Sequence, residues 1–248
     1  MNKPSFNKIV LLTRYKSRDY CRYQELNIVC YGKGMMNEMT MVITVISDNS
    51  IIMTADKRVT KSNGFGQGIE VVSDDYKKIK IIKDKYIVSF AGRADIAKKA
   101  FEYIDAKIDG INNYIDPLIF FKEAFKNGKT FFETSYPGIP PISVFFLGYI
   151  NRNQPKLYSF SSDDDYIGVE REAAIKMHSN NPEQEDLLTD ETVNFIGSEI
   201  AKQPLYYQFP QNLSKLYSKA IKRVDNIMIG NTTYSVVLSS AGVEEYNH

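Results

Sequence analysis

Thr40–Asp56, TMVITVISDNSIIMTAD, is the stretch on which the reading of the fold turns. Thr40–Ile46 is nearly all apolar and rich in β-branched side chains. Ser47-Asp48-Asn49-Ser50 is turn chemistry, and Ile51–Ala55 resumes the apolar run. Together these are the marks of a β-hairpin. A turn centred near Asp48-Asn49 brings residues 56–57 back beside residue 40. A hydroxyl and a carboxylate then share the open end of one hairpin, to within a one-residue slip of register.

The same arithmetic applies downstream. Tyr76–Ile82, Lys83-Asp84-Lys85 and Tyr86–Phe90 read as a second hairpin. Centred near Asp84, it sets Lys78 opposite Phe90, just before Ala91-Gly92. A threonine, an aspartate, a lysine and a glycine turn are the parts of a nucleophilic site once the two hairpin ends are apposed. The spacing alone does not appose them.

Thr40 with its apolar strand, ADKRVT (Ala55–Thr60), KKIKII (Lys77–Ile82) and SFAGRAD (Ser89–Asp95) follow one another in an order that resembles the proteasome-type peptidases. These are N-terminal-nucleophile hydrolases that include proteasome β subunits and the bacterial HslV peptidase. The Thr40–Asp56 spacing matches that family without a gap, and SNGFGQG after Thr60 reads as extra residues. The resemblance runs from about Thr40 to the C-terminus, strong through Asp95 and patchy beyond. It implies an α+β chain folded as a four-layer αββα sandwich, two antiparallel sheets between helical layers. The order of strand and helix patterns agrees with a layered α+β chain.

The resemblance also implies roles. Thr40 would be the nucleophile, Lys78 would favour its alkoxide, and Asp56 would hold Lys78. The Gly92 N–H would donate to the oxyanion, and Ser198 would hydrogen-bond the N-terminal amine. Val59, Thr60, Tyr76, Lys80 and Phe90 would line the substrate site. Phe90 would form its base and Lys80 would admit an acidic edge. No metal and no organic cofactor is implied. Departures from the family pattern are Glu199 for a glycine after the serine, and Asn226 and Ile229 where an aspartate and a serine are expected. A threonine hydroxyl needs a base. An N-terminal threonine has its own α-amine, which titrates near pH ~8.

That requirement gives residues 1–39 their interest. They carry seven Lys/Arg against three Asp/Glu and hold both cysteines, Cys21 and Cys30. They read as an N-terminal extension ahead of a 40–248 hydrolase domain. One reading is a removed propeptide. Another is translation from Met39, whose excision exposes Thr40. A third is an extension that stays attached and blocks catalysis.

Composition bounds the remaining classes. With 43% apolar and 25% charged residues the chain is an ordinary globular one. A net charge of +1 gives no pull toward nucleic acid, and no apolar run approaches the length of a membrane span. Two histidines, one of them terminal, argue against a His-based triad or zinc site. His178 reads as a surface residue. The scarcity of cysteine argues against a disulfide framework and fits the cytoplasm. Asp163-Asp164-Asp165 reads as an exposed acidic turn rather than a metal loop. Gly64-Phe65-Gly66-Gln67-Gly68 lacks the Lys-Ser/Thr of a P-loop and reads as a flexible loop near the rim of the site.

Helices are expected over Ala94–Ile108, Pro117–Phe132, from about Ile200, and over Leu213–Val224. Further strands are expected at Ile142–Ile150, Pro155–Phe160, Val193–Ile196, Thr233–Ser239 and Val243–Tyr246. The polar stretch 161–190 reads as a surface insertion with a short helix near Glu170–Met177. The functional expectation is a threonine-type peptidase subunit acting on polypeptides in a homo-oligomeric ring fed by an ATPase unfoldase. The alternatives are a non-catalytic scaffold subunit of the same fold and a small-amide amidohydrolase of the same nucleophile class.

Overall fold

The computed structural model describes residues 40–62, 69–110, 116–177 and 182–248. The extension 1–39, the glycine-rich stretch 64–68 and His178 lie outside the described residues.

The opening hairpin forms as its sequence dictates. β1 (Met41–Ser47) and β2 (Ser50–Asp56) pair antiparallel, from Ser47↔Ser50 to Val42↔Ala55. Asp48 takes the positive φ that a tight hairpin turn demands. β3 (Val59–Ser62) and β4 (Ile69–Ser73) form a separate two-stranded ribbon. β5 (Ile79–Ile82) and β6 (Tyr86–Gly92) make the second hairpin, with Lys80 opposite Val88. α1 (Ala94–Lys107) and α2 (Pro117–Ser135) follow. Gly128 does not interrupt α2. A Cβ there would lie 2.3 Å from the Ile96 carbonyl oxygen, so glycine lets the two helices touch backbone to backbone.

β7 (Ser143–Asn151) and β8 (Gln154–Ser161) turn at Arg152-Asn153, both at positive φ. β9 (Val169–Arg171) adds to β8, and β10 (Ala173–Met177) adds to β1. α3 (Pro182–Lys202), α4 (Pro210–Lys222), β11 (Thr233–Ser239) and β12 (Gly242–Asn247) complete the chain. One sheet has the order β10-β1-β2-β11-β12 and the other β5-β6-β7-β8-β9.

Alternation along the strands produces the layers. Val42, Ile51, Met53, Ile87, Phe146 and Val236 pack between the sheets. Met41, Ile43, Ile52 and Val237 face outward onto α3 and α4 through Ile196, Leu213, Leu216 and Ile221. On the far side Val88, Phe90, Phe145 and Phe160 meet Ile96, Ala100, Phe121 and Phe125 of α1 and α2. The fold is an α+β four-layer sandwich, helices–sheet–sheet–helices.

Two sequence expectations are corrected. The short helix near Glu170–Met177 is instead β9 and β10, so stretch 161–190 contributes to both sheets rather than forming a surface insertion. All five β10 residues are buried because β1 offers an open edge, and that tertiary opportunity outweighs alanine's helical preference. The strand expected at Val193–Ile196 lies inside α3. Four apolar-rich residues fit either element, and the helical spacing Leu188, Thr192, Phe195/Ile196, Ile200 is the longer signal.

Candidate active site

The open end of the β1–β2 hairpin meets the segment entering β5. Asp56, the last residue of β2, is fully buried, and so is Lys78. Lys78 Nζ lies 3.1 Å from Asp56 Oδ1 and 3.0 Å from Oδ2. Three backbone groups also donate to the same carboxylate: Met41 N–H to Oδ1 at 2.9 Å, Arg58 N–H to Oδ2 at 3.0 Å, and Gly230 N–H to Oδ2 at 3.4 Å. A buried ion pair survives only when its remaining lone pairs are filled in this way. The Met41 N–H contact ties the pair to the residue that follows Thr40.

Thr40 is fully buried, and its Oγ1 has no hydrogen-bond partner among the described residues. An unsatisfied buried hydroxyl is uncommon. Gly92 closes β6 at φ +106°, opposite Ser143 of β7. A Cβ there would stand 2.4 Å from the Ile142 carbonyl oxygen. Two residues earlier, the Phe90 N–H donates to the Lys78 carbonyl at 3.3 Å, which links the Gly92 turn to the buried lysine. The structure thus joins the two hairpin ends that the spacing left separate.

The sequence matches the proteasome subunit family over residues 36–180, more than half of the 248 residues. The chain belongs to the proteasome subunit family. No curated protein sequence matches it. The matched span carries Thr40, Asp56, Lys78 and Gly92. Among the described residues of this proteasome-type subunit, no helix is long and apolar enough to cross a membrane.

Ser198 is not part of the cluster. It lies exposed on α3 and donates to the Phe195 carbonyl at 2.8 Å within its own helix. The chain instead approaches the start of β1 through β10, where Met177 pairs with Met41. AAIKM offered no local signal for that strand, because its alanines favour a helix and the free edge of β1 is tertiary context.

The expected substrate-site residues fare differently. Val59 and Thr60 are buried at the start of β3. Tyr76 is half-buried, with its ring edge-on to Phe90 at 6.2 Å between centroids. Phe90 is fully buried and also packs against Phe101 and Phe145, so it belongs to the aromatic core. Lys80 pairs with Asp105 at 2.7 Å, and that carboxylate already engages the charge expected to admit an acidic edge.

In this proteasome-type subunit a second ion pair braces the site, which the sequence reading missed. Arg58 donates through Nε and Nη2 to the two oxygens of Asp74 at 2.6 and 3.1 Å, and through Nη1 to the Ile227 carbonyl at 2.7 Å. The Arg58 hydrogen bond holds the Asp74 carboxyl below its usual range, and Asp74 raises the guanidinium in turn. Thr232 Oγ1 donates to the Asp74 carbonyl at 2.7 Å. The loop after α4 is therefore strapped to the Asp56 end of β2. Within it Asn226 Oδ1 accepts from Met228 N–H at 2.9 Å, closing its own turn, and Ile229 is buried.

Among the described residues no cluster of His, Cys, Asp or Glu could hold a metal ion. Asp163 and Asp164 sit in a short 3₁₀ turn followed by Asp165 at positive φ.

Proposed function

We propose that this chain is a catalytic subunit, a threonine-type peptidase that uses Thr40 once its α-amine is exposed. The single observation carrying this reading is the buried Lys78–Asp56 pair tethered to the Met41 N–H. A fully buried ion pair whose carboxylate also accepts from the residue after Thr40 is costly as mere structure. As catalytic equipment, it makes the Thr40 hydroxyl easier to ionise.

The chemistry would proceed in two halves. Thr40 Oγ attacks the peptide carbonyl carbon while its proton passes to the free α-amine, which titrates near pH ~8. Lys78 favours the developing alkoxide. The Gly92 N–H donates to the oxyanion, a contact of about 3–4 kcal/mol in comparable sites. The proton then goes to the departing amine, leaving an ester on Thr40 that water hydrolyses. Polypeptides would be the substrate, in a homo-oligomeric ring served by an ATPase partner.

A scaffold subunit is the second reading. Asn226 engaged in its own turn, Ile229 in the core and Ser198 on the surface all favour it. A peptide vinyl sulfone or epoxyketone, with the adduct located by mass spectrometry beside Thr40→Ala, separates the two. An adduct on an N-terminal Thr40, absent from the variant, is the expected result. No adduct on a free, assembled Thr40 would make the chain a scaffold. Turnover of small amides without turnover of peptides would favour the amidohydrolase alternative.

A further inference from the structure

The Gly92 turn leans on the first residue of β7. Ser143 is fully buried and lies opposite Gly92, and the Arg93 N–H donates to the Ile142 carbonyl at 3.0 Å. Hydrogen-bonded and open pairs alternate along an antiparallel ladder. Gly92–Ser143 is therefore an open pair, and the Gly92 N–H faces away from β7. It faces the side on which the Phe90 N–H reaches the Lys78 carbonyl. A Cβ on Gly92 would stand 2.4 Å from the Ile142 oxygen and 2.9 Å from Ser143 Cα. At that approach the turn and the start of β7 cannot shift independently.

Ser143 is itself gripped twice by the turn that follows β8. Its N–H donates to Ser162 Oγ at 3.0 Å, and its hydroxyl shares a hydrogen bond of 2.5 Å with the Tyr166 hydroxyl. The turn is anchored in its own right. Lys129 of α2 donates to the Ser162 carbonyl at 3.1 Å, and the Tyr166 N–H donates to the Ser161 carbonyl at 2.8 Å.

Packing alone does not account for Tyr166. Its fully buried ring lies 6.0 Å from that of Phe125 and 5.9 Å from that of Phe145, contacts that a phenylalanine would also make. Its φ of +55° follows Asp165 at +56°. Aspartate tolerates that region, whereas a bulky side chain there is an outlier. Burial holds the phenol above its ordinary titration range, so the bond to Ser143 joins two neutral hydroxyls.

We propose that Tyr166 is a positioning residue for the oxyanion donor: through Ser143 its hydroxyl fixes the start of β7, and β7 fixes the peptide that aims the Gly92 N–H. This deepens the peptidase reading and rests on it. The oxyanion exists only as the reaction proceeds, so the effect belongs to the chemical step and not to substrate binding.

The test uses assembled protein with Thr40 exposed. Tyr166→Phe keeps the ring and deletes the hydroxyl, and Ser143→Ala deletes its partner. Tyr149→Phe is the control, a buried tyrosine further along β7 and ~20 Å from Ser143. Tyr166→Phe is expected to lower kcat for peptide hydrolysis about tenfold with KM within about twofold, short of the roughly 10²–10³ that follows loss of an oxyanion donor itself. Ser143→Ala is expected to match it and the double variant to fall no further, because both act through one bond. Amide exchange at Arg93 is expected to quicken several-fold relative to the middle of β6. Tyr149→Phe should change neither reading. Wild-type kcat in Tyr166→Phe, a loss carried wholly by KM, multiplied losses in the double variant, an equal fall in Tyr149→Phe, or unchanged exchange at Arg93 would each overturn the assignment. Probe labelling of wild-type Thr40 is read first. Its absence counts against the peptidase reading, and exchange at Arg93 then decides by itself whether the hydroxyl pair holds the turn.

Discussion

Lys78 Nζ is within 3.1 Å of both carboxylate oxygens of Asp56, and neither side chain has any exposed surface. The pair joins one sheet to the other at the end where Thr40 begins.

Breaking that pair from one side strands a charge in the core. Lys78→Met is expected to destabilise the fold by about 3–5 kcal/mol and to abolish Thr40 labelling. Lys78→Met with Asp56→Asn removes both charges and is expected to recover most of the stability and none of the labelling. Urea denaturation beside probe labelling tests both. A double variant as unstable as the single would show that the pair's loss is not mainly an uncompensated charge.

Gly92→Ala meets two obstacles. Its φ of +106° is strained for any L side chain, and the new methyl would overlap the Ile142 carbonyl oxygen. The backbone strain alone costs roughly 1–3 kcal/mol. The turn must shift to relieve the overlap, so turnover is expected to fall more than stability does. Tm and kcat measured together check this.

The Arg58–Asp74 brace is pH-dependent with a definite sign. Asp74's carboxyl is held below its ordinary value in the folded state. Its contribution is therefore complete above the unfolded value near ~3.9 and disappears as pH falls through the lowered folded value. Wild type is expected to be more stable than Asp74→Asn at pH 6, with the gap closing toward pH 2. Asp74 is about half exposed, so the gap is small, on the order of 1 kcal/mol or less. Denaturant midpoints across that range measure it.

Ser198→Ala is expected to change stability by less than about 0.5 kcal/mol and to leave kcat unchanged, as befits an exposed helical position. Steady-state peptide hydrolysis and a denaturant midpoint, each beside wild type, check this.

The hairpins were legible because their information is local. A turn at Asp48-Asn49 and another at Asp84 fix which residues come opposite, and both registers follow from counting. Counting could not give the Asp56–Lys78 contact, since it depends on how two sheets stack; the family resemblance alone implied it. Tertiary context also misled the reading of 170–177 and 193–196. AAIKM becomes a strand because β1 has a free edge, and VNFI becomes helix because its flanks supply the longer period. Ser198 was misplaced with them: once 193–196 is helical, the serine two residues on cannot sit at a strand end. The Arg58 brace escaped notice because its partners, Asp74 and Ile227, are far apart in sequence.

β2 is paired on both edges, Ala55 lying opposite Val42 on one side and Tyr234 on the other. An extra residue in the Ser47–Ser50 turn could not be absorbed by sliding β2 past β1 without also dislodging it from β11. The hairpin therefore acts as a ruler of fixed length between Thr40 and Asp56. Length changes in this chain should be rejected at the four-residue turn.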